Sequence, residues 1–525
     1  MSRIIPDNVR NVLVIMTDQH RVDTIGCLGN PHAITPNLDE IGANGFAFTR
    51  AFTPTAICTP ARASLLTGKI PLKHQVVANP EWNISYNCEI RPGEWTYTQE
   101  LRDNGYNVGL VGKYHVGTLP PDAHGMDDDS FFGAINPVAN ERYVKWLEDN
   151  NLPPVKAFDF HQGLLPGDRP GHVIAARLDQ PEEATFERFI ADTAIERMKQ
   201  YAKDWKENGK PFSLDIHFFG PHLPYFLPSK WFDMIDPEVV ELPPNFGDSL
   251  VGKPQVQQNY ATYWSTSSFS NDQWKKLIAI YWGYVAMIDM EIGRIMDAAK
   301  ELGILDDTAV FFTADHGEFT GSHRLNDKGP AMYDDIYNVP FIANIPGVSA
   351  VGTCGEFVSL LDLPATVLDI AGLDPSLAED GRSIVALSTG KDIEGWREDI
   401  VCEFHGHHFP LQQRMLRTKE FKLVVSHEGV NELYDLRVDP YEMNNCYYVP
   451  RYRDIVAELS KNLYYQLVER GDEAFAKWMN AMTDYDVPLG GTSKSDWDNV
   501  EDENASVDSS AETLAESESD ERLRA

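Results

Sequence analysis

What most limits how this chain can fold is the alternation, before residue 390, of short continuous apolar runs with longer segments of helical period. Runs at 11–17, 107–112, 212–219, 308–314 and 340–345 have strand length and little polar alternation. Strands read this way when both faces are covered, as in a parallel sheet flanked by helices. Helical patterns at 36–44, 61–67, 98–104, 185–207, 272–302 and 361–371 lie among them, and that alternation is the mark of an α/β fold. In the fourth of these helices Phe186, Ile190, Ala194, Met198 and Tyr201 form one stripe, a face for core packing. After residue 390 the texture changes to short runs at 399–404, 414–418, 421–426 and 431–435, then a helical pattern at 455–470. These predict a small antiparallel sheet with a helix over one face.

The expected organisation is thus an α/β domain over 1–390, a large mostly parallel sheet sandwiched by helices, followed by a smaller C-terminal α+β domain of antiparallel strands over 391–485. A tail over 486–525 completes the chain. From Gly491 it holds eleven Asp and Glu against three Lys and Arg, with many Ser, and a segment so charged and so poor in apolar residues is expected to be disordered.

At 525 residues the chain is long enough for one large domain and a smaller one. Its net charge of −35 argues against nucleic acid as a partner, since phosphate backbones require a basic footprint. The same charge disfavours an anionic membrane surface, and no stretch approaches a membrane span. The six cysteines, at 27, 58, 88, 354, 402 and 446, show no metal or paired spacing, which reads as reduced thiols. With an N-terminus that lacks a signal-peptide pattern, the expected location is the cytoplasm. Oligomeric state is left open.

Several polar clusters fall at or near the ends of the predicted strands, where sites collect in open α/β sheets. Asp18-Gln19 ends the first run, and Asp315-His316 ends the fourth. An Asp beside an amide or imidazole, presented twice in one context, can supply oxygen and nitrogen ligands to a divalent cation. Gly112-Lys113-Tyr114-His115-Val116-Gly117 follows the second run, and on an extended chain Lys113 and His115 point the same way. His222 lies in the segment 217–225, and Lys328 opens Lys328-Gly329-Pro330. His217, inside its strand, reads as a core or supporting residue. His405, His407 and His408 form a local cluster without a recognised ligand spacing. Finally Cys58-Thr59-Pro60-Ala61-Arg62, followed by Ala63-Ser64-Leu65-Leu66-Thr67-Gly68, sits at the mouth of a predicted helix. Pro60 suits a first helical turn, and the free N–H groups there favour anions.

The pattern C-x-P-x-R-A-S-L-L-T-G resembles the signature of the type I, formylglycine-dependent sulfatases of the alkaline-phosphatase-like superfamily. The segments around Asp18, Lys113, His222, Asp315 and Lys328, and 431–445 near the C-terminus, resemble further parts of that family. The resemblance implies an alkaline-phosphatase-like fold and a sulfuric ester hydrolase. It implies that a maturation enzyme oxidises Cys58 to formylglycine, whose hydrate is the nucleophile. It further implies one divalent metal held by Asp18, Gln19, position 58, Asp315 and His316. Lys113 and Lys328 become anion clamps, His115 the partner of the hydrate, His222 the proton donor to the leaving group, and Arg62 the residue that holds the hydrate and its loop.

The family's commonest pattern has Asp where Gln19 stands and often Asn where His316 stands. The Gln/His pair resembles the related phosphonate monoester hydrolases. It lowers the negative charge of the site, so Mn²⁺ stands as an alternative to the expected Ca²⁺. The leading expectation is a sulfatase acting on a sulfated carbohydrate or an aryl sulfate. A phosphonate monoester or phosphodiester hydrolase with the same nucleophile is the alternative, and a non-catalytic anion-binding protein on the same fold is a second. Residues 119–186 and 227–270 match no pattern and are expected to form substrate-selecting loops.

Overall fold

A computed structural model describes residues 4–80, 87–131, 137–407, 411–427 and 429–482. The expected acidic tail and His408 lie outside them. The chain divides into two compact units, one ending at Tyr452 and one beginning at Arg453.

The core of the first unit is an eight-stranded sheet. Across it run Gly352–Ser359, Phe46–Phe52, Phe341–Asn344, Thr308–Ala314, Asn11–Thr17, Phe212–His217, Asn107–Lys113 and Asp127–Phe131. All neighbouring pairs are parallel except the two made by Phe341–Asn344. The apolar continuity of the central strand has a simple cause. Leu13 and Ile15 enter the core under helices Phe186–Asn208 and Asn271–Glu301. Val12, Val14 and Met16 enter the opposite core, with Leu65, Tyr97, Leu101 and Leu363 from helices Cys58–Thr67, Tyr97–Asp103 and Asp362–Ala371. Alternate side chains therefore meet two separate helix layers.

The run at 340–345 is a strand, but an antiparallel one. Between Ala314 and Phe341 the chain forms only a short turn at Ser322–Arg324 and the four-residue helix Asp334–Tyr337. A parallel return needs a crossover of a dozen or more residues, usually helical, so the chain comes back from the end at which it left. Strand Phe46–Phe52 and the excursion sheet formed by Ala157–Leu165, Arg169–Leu178 and Tyr225–Pro228 were not expected from sequence. The latter uses part of the segment that matched no pattern.

The small antiparallel sheet, Asp399–Phe404, Gln413–Thr418, Phe421–Ser426 and Glu432–Asp435, is a four-stranded meander. Phe404, Met415, Val424 and Tyr434 from it share one core with Phe52, Ile57, Phe319, Tyr333 and Tyr337. In the second unit, helices Arg453–Glu469 and Glu473–Met482 follow. No helix among the described residues is long and apolar enough to cross a membrane.

Thr308–Ala314, Asn11–Thr17, Phe212–His217 and Asn107–Lys113 are adjacent and parallel. Their C-terminal ends therefore open on one side, the side where α/β sheets place ligands. Gly112 lets the last two approach closely. It has φ +99, and a Cβ there would lie 2.0 Å from the carbonyl oxygen of His217. Gly112→Ala should therefore destabilise the protein by about 3 kcal/mol or more, combining left-handed strain with a backbone clash; denaturant unfolding against the parent checks it.

Candidate active site

Helix Cys58–Thr67 begins after an extended Ile57 and is buried at every residue. Ala61, Ala63, Leu65 and Leu66 favour helix, and Gly68 ends it in the left-handed conformation at φ 63. Asn79 Oδ1 accepts from the N–H of Thr59 at 3.0 Å, holding the first turn from outside. Cys58 is the first helical residue, so its side chain stands among the free N–H groups of the helix end.

Arg62, one turn on, is 1% exposed and joins the strand ends. Its Nη2 donates to Asp18 Oδ2 at 2.8 Å, its Nε to Asp315 Oδ2 at 2.9 Å and its Nη1 to the carbonyl of Lys113 at 2.7 Å. Lys113 Nζ reaches Asp18 Oδ2 at 2.7 Å. Around the Cys58 sulfur, His316 Nε2 lies at 3.1 Å and Asp18 Oδ1 at 3.9 Å. His115 also hydrogen-bonds to it, and His222 Nε2 stands 3.8 Å from Asp18 Oδ1. Lys328 Nζ lies 2.7 Å from His222 Nε2 and 3.1 Å from Gln19 Oε1. All ten residues singled out in the sequence, Asp18, Gln19, Cys58, Arg62, Lys113, His115, His222, Asp315, His316 and Lys328, thus converge in one hydrogen-bonded cluster. His222 is its most open member, with the side chain 17% exposed where its neighbours are nearly sealed.

Charge follows from this packing. Burial opposes ionisation of the Cys58 thiol, but Lys113, Lys328 and His316 outweigh it and hold the thiol well below its ordinary range. Burial and the Cys58 sulfur work against Asp18, yet Lys113, His222 and Arg62 keep it well below the usual carboxylate range. Burial and then Asp18 push Asp315 up to about 6. Burial disfavours charge on His316, but Asp315 and Cys58 raise it to about 9. His222 is lowered, first by burial and then by Lys328.

Among the described residues one group of acids, Cys and His has the geometry to hold a metal ion. It consists of Asp18, Cys58, Asp315 and His316, all buried, each offering a ligand atom within 4.8 Å of the others. Two carboxylates, an imidazole and the position-58 side chain are a donor set that suits a divalent cation. Gln19 borders this group, its backbone N–H donating to Asp315 Oδ1 at 3.1 Å. His217 is buried, with Nδ1 3.2 Å from the carbonyl of Lys113 and 3.3 Å from Arg62, a supporting position. His405 pairs with Glu403 at 2.8 Å and is not part of the metal group.

Sequence reasoning passed over Glu318, Asp327 and Tyr260, which contact the cluster, and Asn79, which holds Thr59 beside it. Glu318 and Asp327 sit two residues after His316 and one before Lys328, a proximity that could have marked them. Tyr260 and Asn79 carry no such signal, because tertiary folding alone brings them in.

Buried acids, cations and the cysteine-bearing end of a helix thus meet at the C-terminal edge of a mostly parallel sheet, in a chain of the alkaline-phosphatase-like sulfatase class. The chain belongs to the sulfatase family and is an enzyme of it: the sulfatase family profile matches residues 10–373. A profile for the C-terminal region of N-sulphoglucosamine sulphohydrolase matches 321–469. The chain is 29% identical over 461 residues to the uncharacterized sulfatase YidJ of Escherichia coli (strain K12), covering 86% of this chain and 85% of that protein. It is 23% identical over 520 residues to the N-acetylglucosamine-6-O-sulfatase of Bacteroides thetaiotaomicron, covering 86% and 85%. Among solved structures, the phosphonate monoester hydrolase SpPMH from Silicibacter pomeroyi is similar in fold, with a TM-score of 0.74 at 24% identity over 88% of this chain and 96% of that one.

Removing the Arg62 guanidinium leaves two buried carboxylates without their shared counter-charge. Arg62→Met should cost about 3–5 kcal/mol of stability, and a divalent cation should restore more to this variant than it adds to the parent. Thermal unfolding with and without Mn²⁺ reads both effects.

Proposed function

We propose that this enzyme hydrolyses sulfate monoesters of carbohydrates through a formylglycine made from Cys58, with one divalent metal, Ca²⁺ or in its place Mn²⁺. The observation that carries the reading is the ring of Lys113, Lys328, His115 and His222 around one buried position at a helix N-terminus. A sulfate ester is an anion whose oxygens gather further charge in the transition state, so cations must be in place beforehand. In a chain of net charge −35, the buried cations Arg62, Lys113 and Lys328 at one site are a specific arrangement.

A hydrated aldehyde at position 58 supplies one hydroxyl for attack and a second whose deprotonation drives release, and the bound cation supplies charge neutralisation. Asp18, Asp315, His316 and the position-58 side chain would hold the metal, with Gln19 as a fifth ligand. Lys113 and Lys328 neutralise the ester oxygens on the remaining side. His115, hydrogen-bonded to the position-58 side chain, is placed to take a proton from it. His222, the most open member, faces where the leaving group exits, and its Nε2 delivers the proton to the leaving oxygen. Arg62 keeps Asp18 and Asp315 in register with the helix. The carbohydrate assignment is supported by the sulfated-sugar relative and by the excursion sheet and the segment 227–270, which are free to shape a sugar-selecting rim. Maturation of Cys58 requires a formylglycine-generating partner, and six cysteines spaced without pairs or metal-ligand patterns favour a reducing compartment.

Gln19 and His316, together with the likeness to a phosphonate monoester hydrolase fold, favour a second reading: a phosphonate monoester or phosphodiester hydrolase with the same nucleophile. Turnover of an aryl sulfate against an aryl phosphonate monoester, on protein whose conversion at position 58 is verified by peptide mass, decides between them. Dominant sulfate turnover is expected. Cys58→Ser should give one equivalent of product and then stop, since serine lacks the second hydroxyl; steady turnover would remove the formylglycine reading.

The pH profile tests His222. A proton donor works in its protonated form, so kcat/KM should fall as pH rises through the depressed value of His222. Lys328 is one cause of that depression. Lys328→Met should therefore move this alkaline limb to higher pH while lowering kcat/KM by about 10²–10³-fold.

A further inference from the structure

A glutamine in a metal site differs from a carboxylate in having one useful end. Its oxygen can ligate a cation, whereas its NH₂ can only donate hydrogen bonds. Which way the amide points therefore decides whether Gln19 can serve. Gln19 Nε2 donates to Glu318 and, at 3.1 Å, to Asp327 Oδ1, while Lys328 Nζ donates to Gln19 Oε1 at 3.1 Å. Carboxylates accept and an ammonium donates, so the reversed amide would set oxygen against two acids and NH₂ against a cation. Only one orientation is compatible with these neighbours.

The neighbours are themselves held. Glu318 Oε1 accepts from the N–H of Thr320 at 3.0 Å and from the N–H of Asp327, and Asp327 Oδ2 accepts from the Tyr260 hydroxyl at 2.6 Å. The Gln19 backbone is fixed as well, at φ 61, with its N–H on Asp315 and its carbonyl accepting from Tyr281 at 2.8 Å. Gln19, Glu318 and Asp327 are each at most 1% exposed, so these bonds are shielded from bulk solvent.

We propose that Glu318 and Asp327 are positioning residues that set the Gln19 amide with its oxygen toward the cation side of the site, and that a glutamine can stand at this position in place of a carboxylate because of them. The inference rests on the reading of Gln19 as a metal ligand.

The test is a double-mutant cycle read by Mn²⁺ titration calorimetry on metal-stripped full-length protein. In the Gln19 background, Glu318→Gln should weaken Mn²⁺ binding by about 10–100-fold, the usual size for loss of a group that orients a ligand. In the Gln19→Glu background the same change should leave binding unaltered or tighten it, because a carboxylate has no wrong end and is relieved of a like-charged neighbour. A merely structural role for Glu318 would weaken both backgrounds alike, and that result, or no loss in the Gln19 background, overturns the proposal. A parent that binds no Mn²⁺ overturns the metal reading itself, and this inference with it. Should Glu318→Gln fail to fold by circular dichroism, Asp327→Asn takes its place in the same cycle with the same expected signs.

Discussion

The structure of the site depends on one guanidinium. Asp18 and Asp315 end adjacent parallel strands in a place without solvent, where two carboxylates so close would repel and one would be forced to stay protonated. Arg62 answers both with separate N–H groups, at 2.8 and 2.9 Å, and reaches the carbonyl that ends the Lys113 strand with a third. A lysine could neutralise charge but could not hold three acceptors in fixed directions. Because Arg62 lies one turn from Cys58, the same contacts set the helix end that carries Cys58 against the strands that carry the acids.

Buried charge of both signs is then built outward from this pair. Lys113 shares Asp18 with Arg62, Lys328 bridges toward His222, and His316 closes on the Cys58 sulfur. The balance is local: the chain as a whole is strongly acidic, yet Arg62, Lys113 and Lys328 meet in one buried cluster. A site of this kind gains from rigidity, since preorganised groups need not reorient as the reaction proceeds. Rigid strands supply it, and the backbone yields only at single points. Gln19 and His115 adopt left-handed φ of 61 and 52, the kind of strain that a surrounding structure sustains at functional positions.

Much of this was legible in the sequence, for identifiable reasons. Strands covered on both faces must be apolar throughout, so the central runs announced themselves, and Pro60 in the first turn of helix Cys58–Thr67 with Gly68 at its end gives that helix local punctuation. Strand Phe46–Phe52 was harder to see, because Thr49 and Arg50 interrupt it near the sheet's edge. The antiparallel direction of Phe341–Asn344 was not legible at all, since direction depends on what lies between strands rather than on the strand. The ten residues that converge in the cluster were singled out through motif contexts. Glu318, Asp327 and Tyr260 were missed because their importance lies in what they face.

By itself the sequence determined the central strands and the longer helices, and it placed Asp18, Lys113 and Asp315 at or next to strand ends, because periodicity, turn residues and short motifs act over a few residues. The tertiary structure decided which ends meet, which carboxylate is ionised, and which way an amide such as Gln19 points. Those outcomes depend on distances of about 3 Å between residues up to 309 positions apart, and on exclusion of water around them, neither of which a local pattern can specify.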